Sequence, residues 1–230
     1  NNGDIWLLKK GIKIKSQSLL NESINWVGPG LKSQGNLSFF VSGSTKATLV
    51  TVIQDEFQSQ EFLDIPGELV KSGEPICLIK DQKVKATIII GCQQGQLMGV
   101  EWKDNKEDLT LEQVDDYNSI KALASTFDQE FLAILDGNQN VVVKNAKLER
   151  VSYLESSSDL ILKSICFAWT QDRYHLIGLT SEGNQLCTFK IAPHVAPMVL
   201  KDKIQLDEAM EQVVRSSHAI GNVQLFFSLM

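Results

Sequence analysis

The chain has 230 residues, of which 43% are hydrophobic and 22% are charged, and its formal net charge is −6. This length and composition are typical of an ordinary soluble globular protein, which buries its own core without disulfides or metals. The negative charge argues against nucleic acid as the main ligand, and the apolar runs are too short for membrane insertion.

The first predicted element is a hairpin over residues 4–15 (DIWLLKKGIKIK) that turns at Lys10-Gly11. Lys13 and Lys15 alternate with isoleucines, as on a strand with one wet face. Two interpretations stay open for these lysines: a charged strand edge that resists aggregation, or a contact patch for an acidic partner. We therefore treat Lys13 and Lys15 as candidate interface residues.

Trp26 is a third candidate interface residue. It lies in the stretch NWVGPG, beside Pro29 and Gly30, and we expect it in a loop and not inside a strand. A partly exposed tryptophan is a favoured anchor of protein interfaces. The alternative is that Trp26 is a core residue.

Strand signals are irregular before residue 86. Residues 36–54 predict two strands around Gly43-Ser44-Thr45, while residues 61–65 and 75–81 predict single strands. Because their spacing varies, we expect weaker or irregular repeats over residues 1–85.

From residue 86 onward one hairpin design recurs. In residues 132–143 (LAILDGNQNVVV), two apolar runs flank Asp136-Gly137-Asn138, residue types that tolerate the positive φ of a tight turn. Three more segments share the pattern: residues 86–102, 174–191 and 218–229. Each turn carries a glycine: Gly95, Gly137, Gly183 and Gly221. These glycines are roughly 40 residues apart, and this period indicates propeller blades.

A whole repeat predicts a four-stranded meander. Residues 119–126 supply its inner strand, the hairpin of residues 132–143 its central pair, and residues 148–154 its outer strand. The next repeat begins with an inner strand at residues 162–169. Inner strands should be apolar on both faces, as Ile88–Ile90 and Ile165–Ala168 are. The constant period favours a propeller over a sandwich, because a blade needs similar neighbours to bury its faces.

Helix signals are scarce along the chain. Only residues 108–116 and 204–214 are compatible with short helices, and in both segments a strand preceded by a loop is the alternative.

With their length and turns such as DGNQN and SEGNQ, the repeats of residues 86–230 resemble the WD-repeat family and its divergent propeller relatives. The resemblance implies an all-β fold, namely a single β-propeller domain over residues 1–230 with about five to seven four-stranded blades. The resemblance is also compatible with an incomplete ring of blades, or with a propeller that is part of a longer chain. It also implies that the partners are other proteins of a larger complex.

Motifs for catalysis, cofactors and metals are absent from the sequence. It has no G-x-S-x-G, Walker, G-x-G-x-x-G or H-E-x-x-H pattern, so no catalytic residue is assigned. The four cysteines lie far apart in apolar runs and the three histidines have no ligand spacing, which predicts reduced core thiols and neither a metal nor a cofactor.

The expected function is a non-enzymatic scaffold for protein–protein interactions, the propeller domain of a subunit of a multiprotein complex. Reduced thiols favour an intracellular location, in the cytoplasm or nucleus. The first alternative is an extracellular or luminal binding propeller, receptor-like or lectin-like, for which the glycosylation sequons at Asn21 and Asn36 speak. The second is a propeller hydrolase with its site in the central channel.

Overall fold

The computed structural model describes residues 4–33, 36–80, 86–102, 111–157, 159–170, 173–182, 185–191 and 196–205. Every regular element in these ranges is a β-strand, and together the strands form one two-stranded sheet and four larger ones. A helix with the length and hydropathy of a membrane span is absent from the same ranges. The all-β prediction is confirmed.

The two-stranded sheet is the N-terminal hairpin, formed by β1 (Asp4–Lys9) and β2 (Ile12–Ser18). Its turn residues Lys10 and Gly11 have φ values of 52° and 79°. A two-residue hairpin turn of the primed type needs this left-handed backbone, because its twist then matches that of the flanking strands. The hairpin predicted at Lys10-Gly11 is therefore confirmed.

In the first and second sheets each strand pairs antiparallel with the next along the chain. The first sheet consists of β3 (Trp26–Ser33), β4 (Asn36–Ser42), β5 (Lys46–Ile53) and β6 (Glu56–Asp64). The dipeptide strand β7 (Ser72–Gly73) follows. The second sheet consists of β8 (Ile76–Lys80), β9 (Ala86–Gly91), β10 (Gln96–Trp102) and β11 (Glu112–Asp116).

The third and fourth sheets have the same meander order. The third consists of β12 (Ile120–Ser125), β13 (Phe131–Asp136), β14 (Val141–Asn145) and β15 (Arg150–Leu154), and β7 pairs with β12 in parallel. The fourth contains β16 (Leu162–Thr170), β17 (Arg173–Thr180) and β18 (Gln185–Lys190). Next along the chain come β19 (Ala196–Pro197), parallel to β15, and β20 (Val199–Gln205), the last strand of the fourth sheet.

Consecutive sheets stack on one another through their first strands. β3 contacts β8, β8 contacts β12, and β12 contacts β16. A hydrophobic cluster fills each space between neighbouring sheets, and its members come from both. The clusters include Ile5, Leu7, Val41 and Val50 (hairpin and first sheet), Phe40, Leu49, Ile76 and Ile88 (first and second), Ile79, Ile89, Leu123 and Ile134 (second and third), and Ala133, Leu135, Leu176 and Phe189 (third and fourth).

This stacking explains the long apolar runs. In β9, Ile88 and Ile90 face the first sheet, whereas Ile89 faces the third, so the strand is buried on both faces. The expected burial of Ile88–Ile90 is confirmed, but β9 is the second strand of its sheet and not the innermost one. For Ile165–Ala168 the expectation is wrong, because Ile165 is buried while Cys166 is exposed. In the described part of the chain, no sheet covers that far face of the fourth sheet.

The turn positions were predicted correctly where they are described. Gly95 and Gly137 each lie between the second and third strands of a sheet. Gly183 and the segment 218–229 with Gly221 lie outside the described residues. The helix interpretation of residues 108–116 is wrong, because Glu112–Asp116 form β11, as the strand alternative predicts. Of residues 204–214, the two that are described end β20.

Candidate functional site

An aromatic cluster lies at one end of the space between the third and fourth sheets. Phe127 belongs to the turn between β12 and β13, Trp169 lies near the end of β16, and Tyr174 lies near the start of β17. Phe131 and Phe167 complete the group. We call these five side chains the aromatic cluster.

Tyr174 is the centre of the aromatic cluster. Its ring centroid lies 4.6 Å from that of Trp169, 5.6 Å from that of Phe127, and 6.0 Å from those of Phe131 and Phe167. The interplanar angles run from 54° to 73°, tilted or edge-to-face arrangements in which positive ring edges meet negative ring faces. Burial and the neighbouring Asp128 carboxylate raise the pKa of Tyr174, so its phenol stays neutral at physiological pH.

Two members of the aromatic cluster face solvent. Phe127 is 77% exposed and Trp169 is 50% exposed, and their ring centroids lie 6.2 Å apart. Single exposed apolar residues are common on protein surfaces, but two large adjacent rings beside the buried Tyr174 and two half-buried phenylalanines form a patch that water solvates poorly. Such a patch is a suitable anchor for another protein, because aromatic side chains dominate interface energies.

The turn that carries Phe127 is held by side-chain hydrogen bonds. The Thr126 hydroxyl donates to Asp128 over 2.6 Å and accepts from the Phe131 amide over 3.0 Å. The Glu130 amide also donates to Asp128, over 3.1 Å. Burial favours the neutral acid, but these bonds to the carboxylate outweigh it and lower the pKa of Asp128. Phe127 is thus presented on an ordered turn, which reduces the entropy lost when a partner binds.

The hairpin lysines lie away from the aromatic cluster and already have partners within the chain. The ammonium of Lys13 stands 4.3 Å from the ring centroid of Trp6, a cation–π contact on the exposed face of the hairpin. Lys15 forms an ion pair with Glu56 of β6. A role of these lysines in binding stays a prediction.

Trp26 does not lie in a loop, and that expectation is corrected. It is the first residue of β3, its partner is Ser42 of β4, and it is only 6% exposed, in the cluster between the first and second sheets. The strand continues through Pro29 because β3 is an edge strand and its pairing with β4 is irregular between Val27 and Gly30, and both features tolerate a proline. A Cβ at Gly28 would lie 2.0 Å from carbons of the indole, so a glycine is required beneath the ring.

The structure therefore does not bring the three sequence candidates together, and it adds a site that the sequence interpretation missed. The sequence pattern that could have indicated this site is an aromatic residue next to each of two predicted turns, Phe127 in TFDQE and Trp169 in AWTQDR. Only the pairing of consecutive sheets brings the two stretches into contact.

Two observations on the described residues concern metal ligands and thiols. No group of three His, Cys, Asp or Glu residues in these ranges is arranged to hold a metal ion. Burial raises the pKa of the Cys77 thiol well above its usual value and that of Cys92 to about 11. Both thiols are therefore protonated at neutral pH and are poor nucleophiles.

Comparison with known proteins gives a likeness of fold only. No family model and no curated protein matches the chain. Among solved structures, the chain is similar to BBS1N in the crystal structure of BBS1N in complex with ARL6DN, soaked with mercury, with a TM-score of 0.62 and 11% sequence identity. The alignment covers 89% of this chain and 62% of that chain, so this chain spans less than two thirds of the length of its neighbour. BBS1N is a β-propeller, and the likeness supports a propeller fold for this chain.

Proposed function

We propose that this chain is a protein-interaction module, the propeller domain of a subunit of a larger multiprotein complex. The observation that carries the proposal is the aromatic cluster, whose exposed rings Phe127 and Trp169 stand on a hydrogen-bonded turn and a strand end. The fold neighbour lends support, because BBS1N was crystallised in complex with ARL6DN. An interaction domain needs a rigid scaffold and an exposed anchor, and both are available here.

The aromatic cluster is large enough to dominate an interface. Full burial of one large apolar side chain contributes about 1.5–3 kcal/mol. A partner that covers the exposed parts of Phe127 and Trp169 therefore gains about 2–4 kcal/mol, which is the range of interface hot spots. Loss of both rings should weaken binding by roughly 30-fold or more.

The finer points of the architecture are part of the same proposal. We take residues 1–230 as one propeller domain of the divergent WD-like kind, with five to seven blades in the complete ring. Within the described residues the N-terminal hairpin has two strands and the other sheets have at least four, so a complete blade at this place needs two further strands. Unpaired strand edges and uncovered blade faces favour assembly with a partner.

We also propose that the module is not an enzyme and that it works inside the cell. The four cysteines are free thiols, and Cys166 is exposed, which fits a reducing compartment. Oxidation or cross-linking of Cys166 during secretion would contradict the intracellular location and favour the receptor-like or lectin-like alternative.

The proposal is tested by affinity purification of the full-length protein from its own cells, followed by mass spectrometry. A Phe127→Ala/Trp169→Ala variant is compared with a Val114→Ala/Val199→Ala control, whose valines are 37% and 65% exposed on other strands. We expect near-stoichiometric partners that the aromatic variant loses and the valine control retains. Recovery of a monomer without partners, or equal loss in both variants, would overturn the proposal. Thermal unfolding of each variant confirms that it is folded.

A further inference from the structure

An open cleft with three lysines in its walls lies at the opposite end of β12 and β16 from the aromatic cluster. Its volume is about 650 Å³, and its walls include the start of both strands and the segment around β7. The strand β12, Ile120–Ser125, runs from the cleft to the turn that carries Phe127, and an extended strand of this length spans about 17 Å. The cleft is therefore separate from the site of the proposed function.

Three lysines converge on this cleft from three segments of the chain. Lys71, Lys121 and Lys163 all line it. In the parallel pair of β7 and β12, Ser72 is the partner of Ala122, so Lys71 and Lys121 occupy the preceding, adjacent positions. The Ser72 hydroxyl also donates to the carbonyl oxygen of Lys163 over 3.5 Å, which joins β16 to the same place.

The charge of the cleft contrasts with that of the chain. The whole sequence carries a net charge of −6, yet three lysines and no described Asp or Glu line the cleft. Lys71 has one partial counter-charge, since its Nζ lies 3.7 Å from Glu68 at the rim. Within the described ranges Lys121 and Lys163 form no ion pair. Like charges on neighbouring strands are destabilising, and a cleft of one sign attracts counter-ions.

We propose that this cleft binds a phosphate-bearing ligand. A phosphate group offers several charged acceptor oxygens, which suit the ammonium groups of Lys121 and Lys163 and the hydroxyls of Ser119 and Ser181 in the same walls. A volume of about 650 Å³ lies within the range of small-molecule sites, so the cleft has room for two neighbouring phosphates. The inference does not depend on the aromatic cluster or on its partner.

The test uses isothermal titration calorimetry of the full chain at low ionic strength, with inorganic pyrophosphate as the probe. We expect saturable binding of one pyrophosphate, weakened about tenfold or more by Lys121→Gln and likewise by Lys163→Gln, because each substitution removes a charge-assisted hydrogen bond. Lys147→Gln is the matched control, since Lys147 is an exposed lysine of the turn after β14. It should bind as the unaltered chain does.

Further ligands identify the chemistry and the source of the phosphate. Citrate, of similar charge, should bind more weakly than pyrophosphate. A peptide with two adjacent phosphoserines that binds more tightly than pyrophosphate would assign the cleft to a phosphorylated protein segment, and weaker binding would assign it to a small molecule. The absence of saturable binding, equal binding of citrate, or an equal loss in the Lys147 control would overturn the proposal. Unchanged thermal unfolding of the variants shows that the effect is local.

Discussion

The third sheet and the N-terminal hairpin contain apolar runs of the same length but bury them differently. Leu132–Leu135 of β13 are all fully buried, because their side chains alternate between the second and fourth sheets. In Ile5–Leu8 of β1, the odd positions pack on the first sheet, whereas Trp6 and Leu8 are 62% and 57% exposed. The number of neighbouring sheets, and not the apolar content of a strand, therefore decides how much of the strand is buried.

The largest expected effect comes from truncating a leucine of the third sheet, and a leucine of the hairpin serves as the comparison. Leu132→Ala removes a fully buried side chain and leaves a cavity between the second and third sheets, so we expect a loss of about 2–5 kcal/mol in the free energy of unfolding. Leu8→Ala should change it by less than about 0.5 kcal/mol. Urea unfolding of both variants measures the difference. A large loss for Leu8→Ala would mean that another element covers the exposed face of the hairpin in solution.

The second prediction compares the stability that two turns contribute, the turn between β13 and β14 and the turn of the N-terminal hairpin. Asp136 is buried, and it accepts hydrogen bonds from the Asn140 amide over 2.8 Å and the Asn140 side chain over 3.0 Å. Asp136→Ala leaves these donors unpaired and should lower the free energy of unfolding by about 1–3 kcal/mol.

The hairpin turn provides the matched control for Asp136. Lys10 has a φ of 52°, a backbone conformation that asparagine tolerates well, so Lys10→Asn should leave the free energy of unfolding unchanged or raise it slightly. Denaturant unfolding again provides the measurement. A loss as large as that of Asp136→Ala would show that the two turns do not differ in the way the hydrogen bonds indicate.

Local signals were sufficient to predict the meanders of the second half of the chain. The turn between β13 and β14 lies at Asp136-Gly137-Asn138 as predicted, but the residue with a positive φ is the following one, Gln139, at 68°. Gly95, with a φ of 117°, holds the corresponding place between β9 and β10. The strands of residues 119–154 also follow the predicted order. In each case the information lies within a few residues, where turn preferences and apolar alternation act directly.

Local sequence patterns could not predict which faces of a strand a neighbouring sheet covers. Pro29 and Gly30 predict a loop, yet Trp26 is a core residue of an edge strand that tolerates a proline. Which face of β16 is covered depends on whether a further sheet follows it, so the exposure of Cys166 was not predictable from its apolar surroundings. The contact between Phe127 and Trp169 likewise depends on the stacking of two sheets.

Ion pairs that link adjacent sheets give a smaller effect with a defined pH dependence. Lys144 of β14 lies 2.6 Å from Asp115 of β11, and the Tyr117 hydroxyl donates to the same carboxylate over 2.9 Å. Burial alone would raise the pKa of Asp115, but the hydrogen bond from Lys144, followed by those from the Asp116 amide and Tyr117, lowers it. The ionised form is therefore favoured by folding.

Asp115→Asn removes the charge that attracts Lys144 and should lower the free energy of unfolding by about 1 kcal/mol at pH 7. The effect is this small because the Asp115 side chain is 33% exposed and water screens the attraction. The pKa of Asp115 is lower in the folded chain than its unfolded value of about 3.9, so the stabilisation is complete above about pH 5 and is lost as the pH falls through the unfolded and then the folded value. Urea unfolding of both proteins between pH 7 and pH 2 should show their difference shrinking at the acidic end. A difference that is constant over this range would contradict the assignment to the charge of Asp115.

The hairpin counterpart of this ion pair should have the smallest effect. Lys15 and Glu56 link β2 to β6, but their side chains are 34% and 59% exposed, so solvent and salt screen the attraction. Lys15→Gln should therefore change the free energy of unfolding by at most about 0.5 kcal/mol, and the change should fall further in high salt. Lys13→Gln is the control, since Lys13 contacts the Trp6 ring and no carboxylate is part of that contact. If Lys15→Gln were as destabilising as Asp115→Asn, the hairpin would be held as firmly as the inner sheets, and the contrast between the two regions would fail.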